Sequence, residues 1–82
     1  PFNPETTIEY QLPEAIRLRI EIYDLLGRKI RSLLPSIMQV PGYYKITWDG
    51  KNDADSVVDS GIYTCRLTCE NYVESIKLLM LK

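Results

Sequence analysis

The sequence predicts an all-β domain, and three observations carry that prediction. Apolar and polar side chains alternate strictly over residues 16–22 and 44–48, which is the period of a half-buried strand. No run keeps helical spacing for the ten or so residues that a helix requires. Turn-forming residues punctuate the runs at Pro13-Glu14, Asp24 to Gly27, Pro41-Gly42, Asp49-Gly50 and Ser60-Gly61.

Taken in order, Phe2-Asn3-Pro4 reads as an extended entry, because the proline holds Asn3 out of helical geometry. The first strand is expected over residues 6–12, with Ile8, Tyr10 and Leu12 inward. After the turn at Pro13, a second strand over 16–23 places Ile16, Leu18, Ile20 and Ile22 inward and Arg17, Arg19 and Glu21 outward. Asp24-Leu25-Leu26-Gly27 suits a type I turn: the aspartate accepts backbone N–H bonds and Gly27 takes the left-handed position before the ladder resumes.

The third strand is expected over 28–34, anchored by Ile30 and Leu34 and ended by Pro35. Residues 35–41 then read as a connection whose Ile37, Met38 and Val40 pack over a sheet edge. A fourth strand over 43–48 turns Tyr44, Ile46 and Trp48 inward. Residues 49–56 form a polar loop, Val57-Val58 a short strand, and Asp59-Ser60-Gly61 a turn. A strand over 62–69 follows, with Tyr63, Cys65, Leu67 and Cys69 on one face. Glu70-Asn71 fits a two-residue hairpin connection in which Asn accommodates positive φ. The last strand, 72–81, is apolar on both faces near its end, which implies a central or partner-covered strand. About seven short antiparallel strands with a turn every 8–12 residues or so describe a β-sandwich of immunoglobulin type.

Its 82 residues make one domain, residues 1–82, near the lower end of what folds alone. A net charge of −1 gives no bulk attraction for nucleic acid or anionic lipid. No stretch approaches the roughly 20 apolar residues needed to span a bilayer. The opening at Pro1, with no methionine and no leader-like segment, leads to the expectation of a fragment of a longer protein, with a terminal module of a larger cargo as a natural reading. Cys65 and Cys69 on one strand would stand about 13 Å apart, against a disulfide limit of about 7 Å, so they read as small apolar fillers.

Little here points to chemistry. Histidine is absent, which removes the commonest general base and the usual zinc ligand. Neither a nucleophile elbow nor a phosphate-cradling glycine loop is present, so no catalytic residues and no cofactor are expected. Asp49, Asn52, Asp53, Asp55 and Asp59 form an oxygen-rich stretch, and calcium takes about 6–8 such ligands. The spacing lacks the glycine and terminal glutamate of an EF-hand loop, and a solvated turn with side-chain-to-backbone bonds is the preferred reading. Arg17, Arg19, Lys29 and Arg31 are expected together on an outer face, either as an ordinary charged surface with Glu21 or as a site for an anionic partner. Trp48, Tyr10, Tyr44 and Tyr63 face inward and read as core rather than as a stacking platform for nucleic acid.

Five blocks in order resemble a known family. They are Phe2-Asn3-Pro4 with Thr7-Ile8-Glu9-Tyr10-Gln11-Leu12, then Ile22-Tyr23-Asp24-Leu25-Leu26-Gly27-Arg28, Trp48-Asp49-Gly50, Ser60-Gly61-Ile62-Tyr63, and Lys77-Leu78-Leu79-Met80-Leu81-Lys82. Together they resemble the C-terminal sorting domain of the type IX secretion system and the related immunoglobulin-like domain of flagellar hook-capping proteins. The resemblance implies a non-catalytic module on a parent cargo protein, read by outer-membrane secretion machinery and delivered through the periplasm to the cell surface or medium. It implies Gly61, Tyr63, Lys77 and Lys82 as recognition elements, with Gly61 permitting the turn and Tyr63 fixing its strand. The competing expectation is a structural or adhesive accessory module, such as a spacer beside an enzyme or a hook-cap domain.

Overall fold

A computed structural model describes residues 5–81 of the chain. Six strands follow in order: β1 (Thr6–Leu12), β2 (Ile16–Tyr23), β3 (Lys29–Gln39), β4 (Gly42–Trp48), β5 (Gly61–Cys69) and β6 (Val73–Met80). They form two antiparallel sheets, a two-stranded β1-β4 and a four-stranded β3-β2-β5-β6. This is the expected immunoglobulin-like sandwich, with six strands instead of about seven. The strand expected at Val57-Val58 is reduced to an isolated bridge between Lys51 and Val57. The Phe2-Asn3-Pro4 entry and Lys82 lie outside the described residues.

Alternation creates the sandwich. On β2 every second residue from Ile16 to Ile22 is buried, and on β5 Tyr63, Cys65, Leu67 and Cys69 match them. The second sheet lays Ile8, Leu12 and Trp48 over that face. Trp48, Leu18, Ile20, Ile22 and Cys65 are the most completely enclosed side chains. Burying aliphatic and aromatic groups of this size contributes about 1.5–3 kcal/mol each relative to exposure, so the inter-sheet layer dominates stability. Both cysteines are free and buried, as filler residues would be. Tyr10 and Tyr44 are only half-buried; their rings stack at 5.3 Å, and their hydroxyls donate to Gln39 Oε1 (2.9 Å) and Val40 O (2.6 Å).

Three expectations about elements need correction. Pro35 does not end β3, which continues to Gln39. Residues of β3 are added in the ladder with β2 at three register shifts, one of them between the Leu18–Ile37 and Ile20–Leu34 pairs, across Pro35. Proline is tolerated on an edge strand at a bulge because no ladder partner needs its missing N–H. Ile37 and Met38 therefore lie on a strand, and with Val40 they are exposed rather than packed over an edge. β6 is an edge strand, not a central one, and Leu79 and Leu81 on its second face are open to solvent. In the β5–β6 hairpin Cys69 N donates to Tyr72 O (2.9 Å), but Asn71 does not take positive φ; among the described non-glycine residues only Asp55 does, at +65°.

Candidate functional site

Of the residues implied as recognition elements, Gly61, Tyr63 and Lys77 lie on the β5–β6 hairpin, and Lys82 falls outside the described residues. Gly61 pairs with Met80, Tyr63 with Leu78, and Thr64 with Lys77. Lys77 is exposed on the outer face, next to exposed Leu79. Tyr63 points the other way, into the core, where its ring meets Trp48 edge-on and its hydroxyl donates to Asp59 O at 2.7 Å. Burial first, then the nearby Asp59 and Asp24 carboxylates, push its phenol pKa up. Gly61 does not take the left-handed conformation expected of a turn glycine. It opens β5, and a Cβ there would meet the Tyr63 ring at 4.0 Å, an ordinary contact. The hairpin thus presents Lys77, Leu79 and Ile62 outward while Tyr63 holds it to the core.

The two loop motifs serve the fold. Asp24 Oδ1 accepts from Leu26 N and Arg28 N (both 2.9 Å), and its Oδ2 accepts from Arg28 Nε at 2.7 Å. Gly27, at φ +81°, donates to Asp24 O and brings the chain back into the ladder. Backbone hydrogen bonding from Arg28 leads the effects that hold the Asp24 carboxyl below its ordinary value. In Trp48-Asp49-Gly50, the indole N–H donates to Lys51 O (2.9 Å) and Asp49 Oδ1 accepts from Lys51 N (3.1 Å). The reversal at Gly50, φ +77°, makes both bonds reachable.

The oxygen-rich stretch is spread over separate tasks. Asn52 Oδ1 accepts from Ala54 N and Ser56 N, and Asp55 pairs with Lys51 at 3.8 Å. Asp53 reaches across to β3, where its Oδ1 accepts from Ser32 N (3.0 Å) while its own N–H donates to Ile30 O (3.0 Å). Among the described residues no three acidic or sulfur side chains converge as a metal-binding group.

The basic residues do not act as one patch. Arg31 is half-buried and donates to Asn52 O, away from the other three. Arg19 and Lys29 both approach Glu21, at 3.3 and 4.0 Å, and Arg17 donates to Ser36 O. Arg66, which sequence reasoning had not singled out, lies 4.2 Å over the Tyr23 ring. Its signal was readable only from register, since Arg66 stands opposite Glu21 on the outer face beside Tyr23.

A hollow of about 540 Å³ lies over the β1–β4 ladder at residues 9–11 and 43–45. Among the described residues no helix is long and apolar enough to cross a membrane. Neither a curated protein nor a solved structure matches the chain significantly. A family model does, that of the FlgD Ig-like domain, over residues 3–72. That match spans the entry, the Asp24 turn, the Trp48 corner and β1 to β5, and on it the chain belongs to the FlgD Ig-like domain family.

Proposed function

We propose that the domain is a non-catalytic structural module of the flagellar hook-cap type, an immunoglobulin-like unit that positions or joins larger protein parts. The family match over residues 3–72 is the observation that carries this reading. The architecture supports it: the Asp24 and Trp48 blocks are spent on turns and on closing the sandwich, and the outer faces are left for contacts. A graft tests it. Placed where a hook-capping protein carries its own immunoglobulin-like domain, the chain is expected to restore hook growth in a motile bacterium. A folded, stably expressed graft that leaves hooks unassembled sinks the reading.

A second reading, the type IX secretion address, is favoured by one observation: Gly61, Tyr63 and Lys77 meet on a hairpin whose outer face also exposes Leu79 and Ile62. On this reading the partners are the parent cargo and the outer-membrane translocon, and the destination is the cell surface or medium. Fused to the C-terminus of a periplasmic reporter in a host with type IX machinery, the domain then carries the reporter out. Lys77→Ala, at an exposed position, reduces that export without unfolding the domain. A folded fusion retained in the periplasm leaves the structural reading alone.

A further inference from the structure

The four-stranded sheet ends on β3 and β6, and its two edges differ. The outer edge of β3 is sealed by the 49–56 loop through Asp53, and Lys29, Pro35 and the register shifts add further obstacles to pairing. β6 pairs with β5 in unbroken register from Val73 to Met80, with no proline and no bulge. Cys69 N donates to Tyr72 O across the hairpin, so the alternation of an antiparallel ladder turns the N–H and C=O of residues 74, 76, 78 and 80 toward β5. Those of Val73, Ser75, Lys77 and Leu79 point off the sheet. Among the described residues, no strand and no loop hydrogen bond takes them up.

Charge on the adjoining face has one sign. Register brings Arg17, Arg19, Lys29, Arg66 and Lys77 to the outer face of this sheet, and Glu21 is the one carboxylate its strands carry there. Glu21 is engaged by Arg19 and Lys29, Arg17 donates to Ser36 O, and Arg66 rests over the Tyr23 ring. Lys77 sits on the edge strand itself and, among the described residues, makes no hydrogen bond, ion pair or ring contact. Leu79, two residues along the same face, is 65% exposed. Glu74, the other acid on these strands, lies at the hairpin end and on the opposite face, across from Leu67.

We propose that β6, from Ser75 to Met80, takes up an extended acidic segment of a partner protein as a fifth strand, with carboxylates on the outer face beside Lys77 and aliphatic side chains on the inner face beside Ile76 and Leu78. The free N–H and C=O groups select a polypeptide over other polyanions, since only a backbone satisfies both in alternation. Lys77 selects the sign of its side chains. A carboxylate opposite Ser75 stands about 10 Å across the sheet from the Arg66 backbone, and the small serine leaves that charge unscreened by protein. A second copy fits this edge less well. The two-fold register centred on Lys77 sets that lysine against itself and Glu74 against Met80, and the one centred on Ile76 sets Glu74 against Leu78. The site stands on edge geometry and charge, independently of the hook-cap and secretion readings.

The test titrates the isotope-labelled chain with a capped octapeptide alternating Glu and Val, and with its counterpart carrying Lys for Glu. The Glu peptide is expected to slow amide exchange at Ser75, Lys77 and Leu79, whose N–H groups face the open edge, and to leave residues 76 and 78, already bonded to β5, nearly unchanged. Binding weakens as salt rises. The Lys peptide is expected to bind about tenfold more weakly, as the gain or loss of two charge pairs would give. Lys77→Gln, at an exposed position that leaves the domain folded, is expected to cut that ratio about threefold. The proposal is overturned by protection on β1 or β4 instead of β6, by equal affinity for both peptides, by a ratio unchanged in Lys77→Gln, or by no response at millimolar peptide. Protection of β6 that grows with protein concentration alone also overturns it, since a second copy then occupies the edge.

Discussion

The Trp48 and Tyr63 rings meet edge to face, 5.2 Å between centroids and 68° apart, and so join the end of β4 to the start of β5 across the two sheets. Each ring also spends its polar atom on a loop carbonyl, Trp48 on Lys51 O and Tyr63 on Asp59 O. One aromatic pair thus holds the sandwich together and ties down both ends of the connection between these strands.

Trp48→Ala should cost about 3–5 kcal/mol, which is most or all of what so small a domain holds. Tyr63→Phe keeps the ring contact and loses only the hydroxyl, for about 1 kcal/mol. Urea titrations of the two variants measure both. A Trp48→Ala protein that unfolds at the parent midpoint would show that the inter-sheet layer does not depend on the indole.

Asp55 is held at φ +65°, a conformation that favours glycine. Its ion pair with Lys51 is 3.8 Å long and largely exposed, so little is lost with the side chain. Asp55→Gly is therefore expected to stabilise the domain by about 0.5 kcal/mol, read as a higher melting temperature. A lower one would mean that the exposed pair outweighs the backbone term.

Asp53→Ala removes the acceptor for Ser32 N at the outer edge of β3. The expected loss is about 1 kcal/mol, with faster amide exchange at Ser32 and little change along β5. Unchanged exchange at Ser32 would show that the loop does not seal that edge.

Stability should be flat between about pH 4 and 9 and fall on both sides. Burial pushes the Cys65 thiol up from 9.0 to about 11, and burial leads the rise of Tyr10, Tyr23 and Tyr63 above 10.0. Folding keeps these groups protonated, so their contribution is whole below pH 9 and is lost as pH climbs through the folded-state values. Asp24 has the opposite sign: its carboxyl is held below 3.8, chiefly by backbone bonding from Arg28, so its contribution is whole above that pH and disappears as acid is added. Thermal melts across pH test both limbs. An acid limb unchanged in Asp24→Asn would assign it to other carboxylates.

Local pattern made β1 and β2 legible to the residue, because their burial alternates without interruption and the turn after β2 carries its own hydrogen-bonding side chain in Asp24. β3 was harder, since its register shifts scramble the two-residue period and Pro35 reads as a stop when the strand's edge position is unknown. The apolar second face of β6 suggested a covered strand, yet coverage depends on strand order, which periodicity does not encode. Of the expected site residues, Tyr63 and Lys77 fell on the faces their alternation assigns. The clasp of Asp53 on β3 joins residues 21 apart, a pairing no local motif announces.

The Asp53 clasp also limits how molecules can join through the four-stranded sheet. With β3 blocked and β6 open, one copy cannot present β6 to the β3 of the next, so head-to-tail propagation is denied. The remaining pairing there is β6 with β6, a two-fold arrangement that consumes both open edges and stops at a dimer. The loop clasp, together with Lys29, Pro35 and the register shifts of β3, thereby acts as a terminator against fibre growth through this sheet.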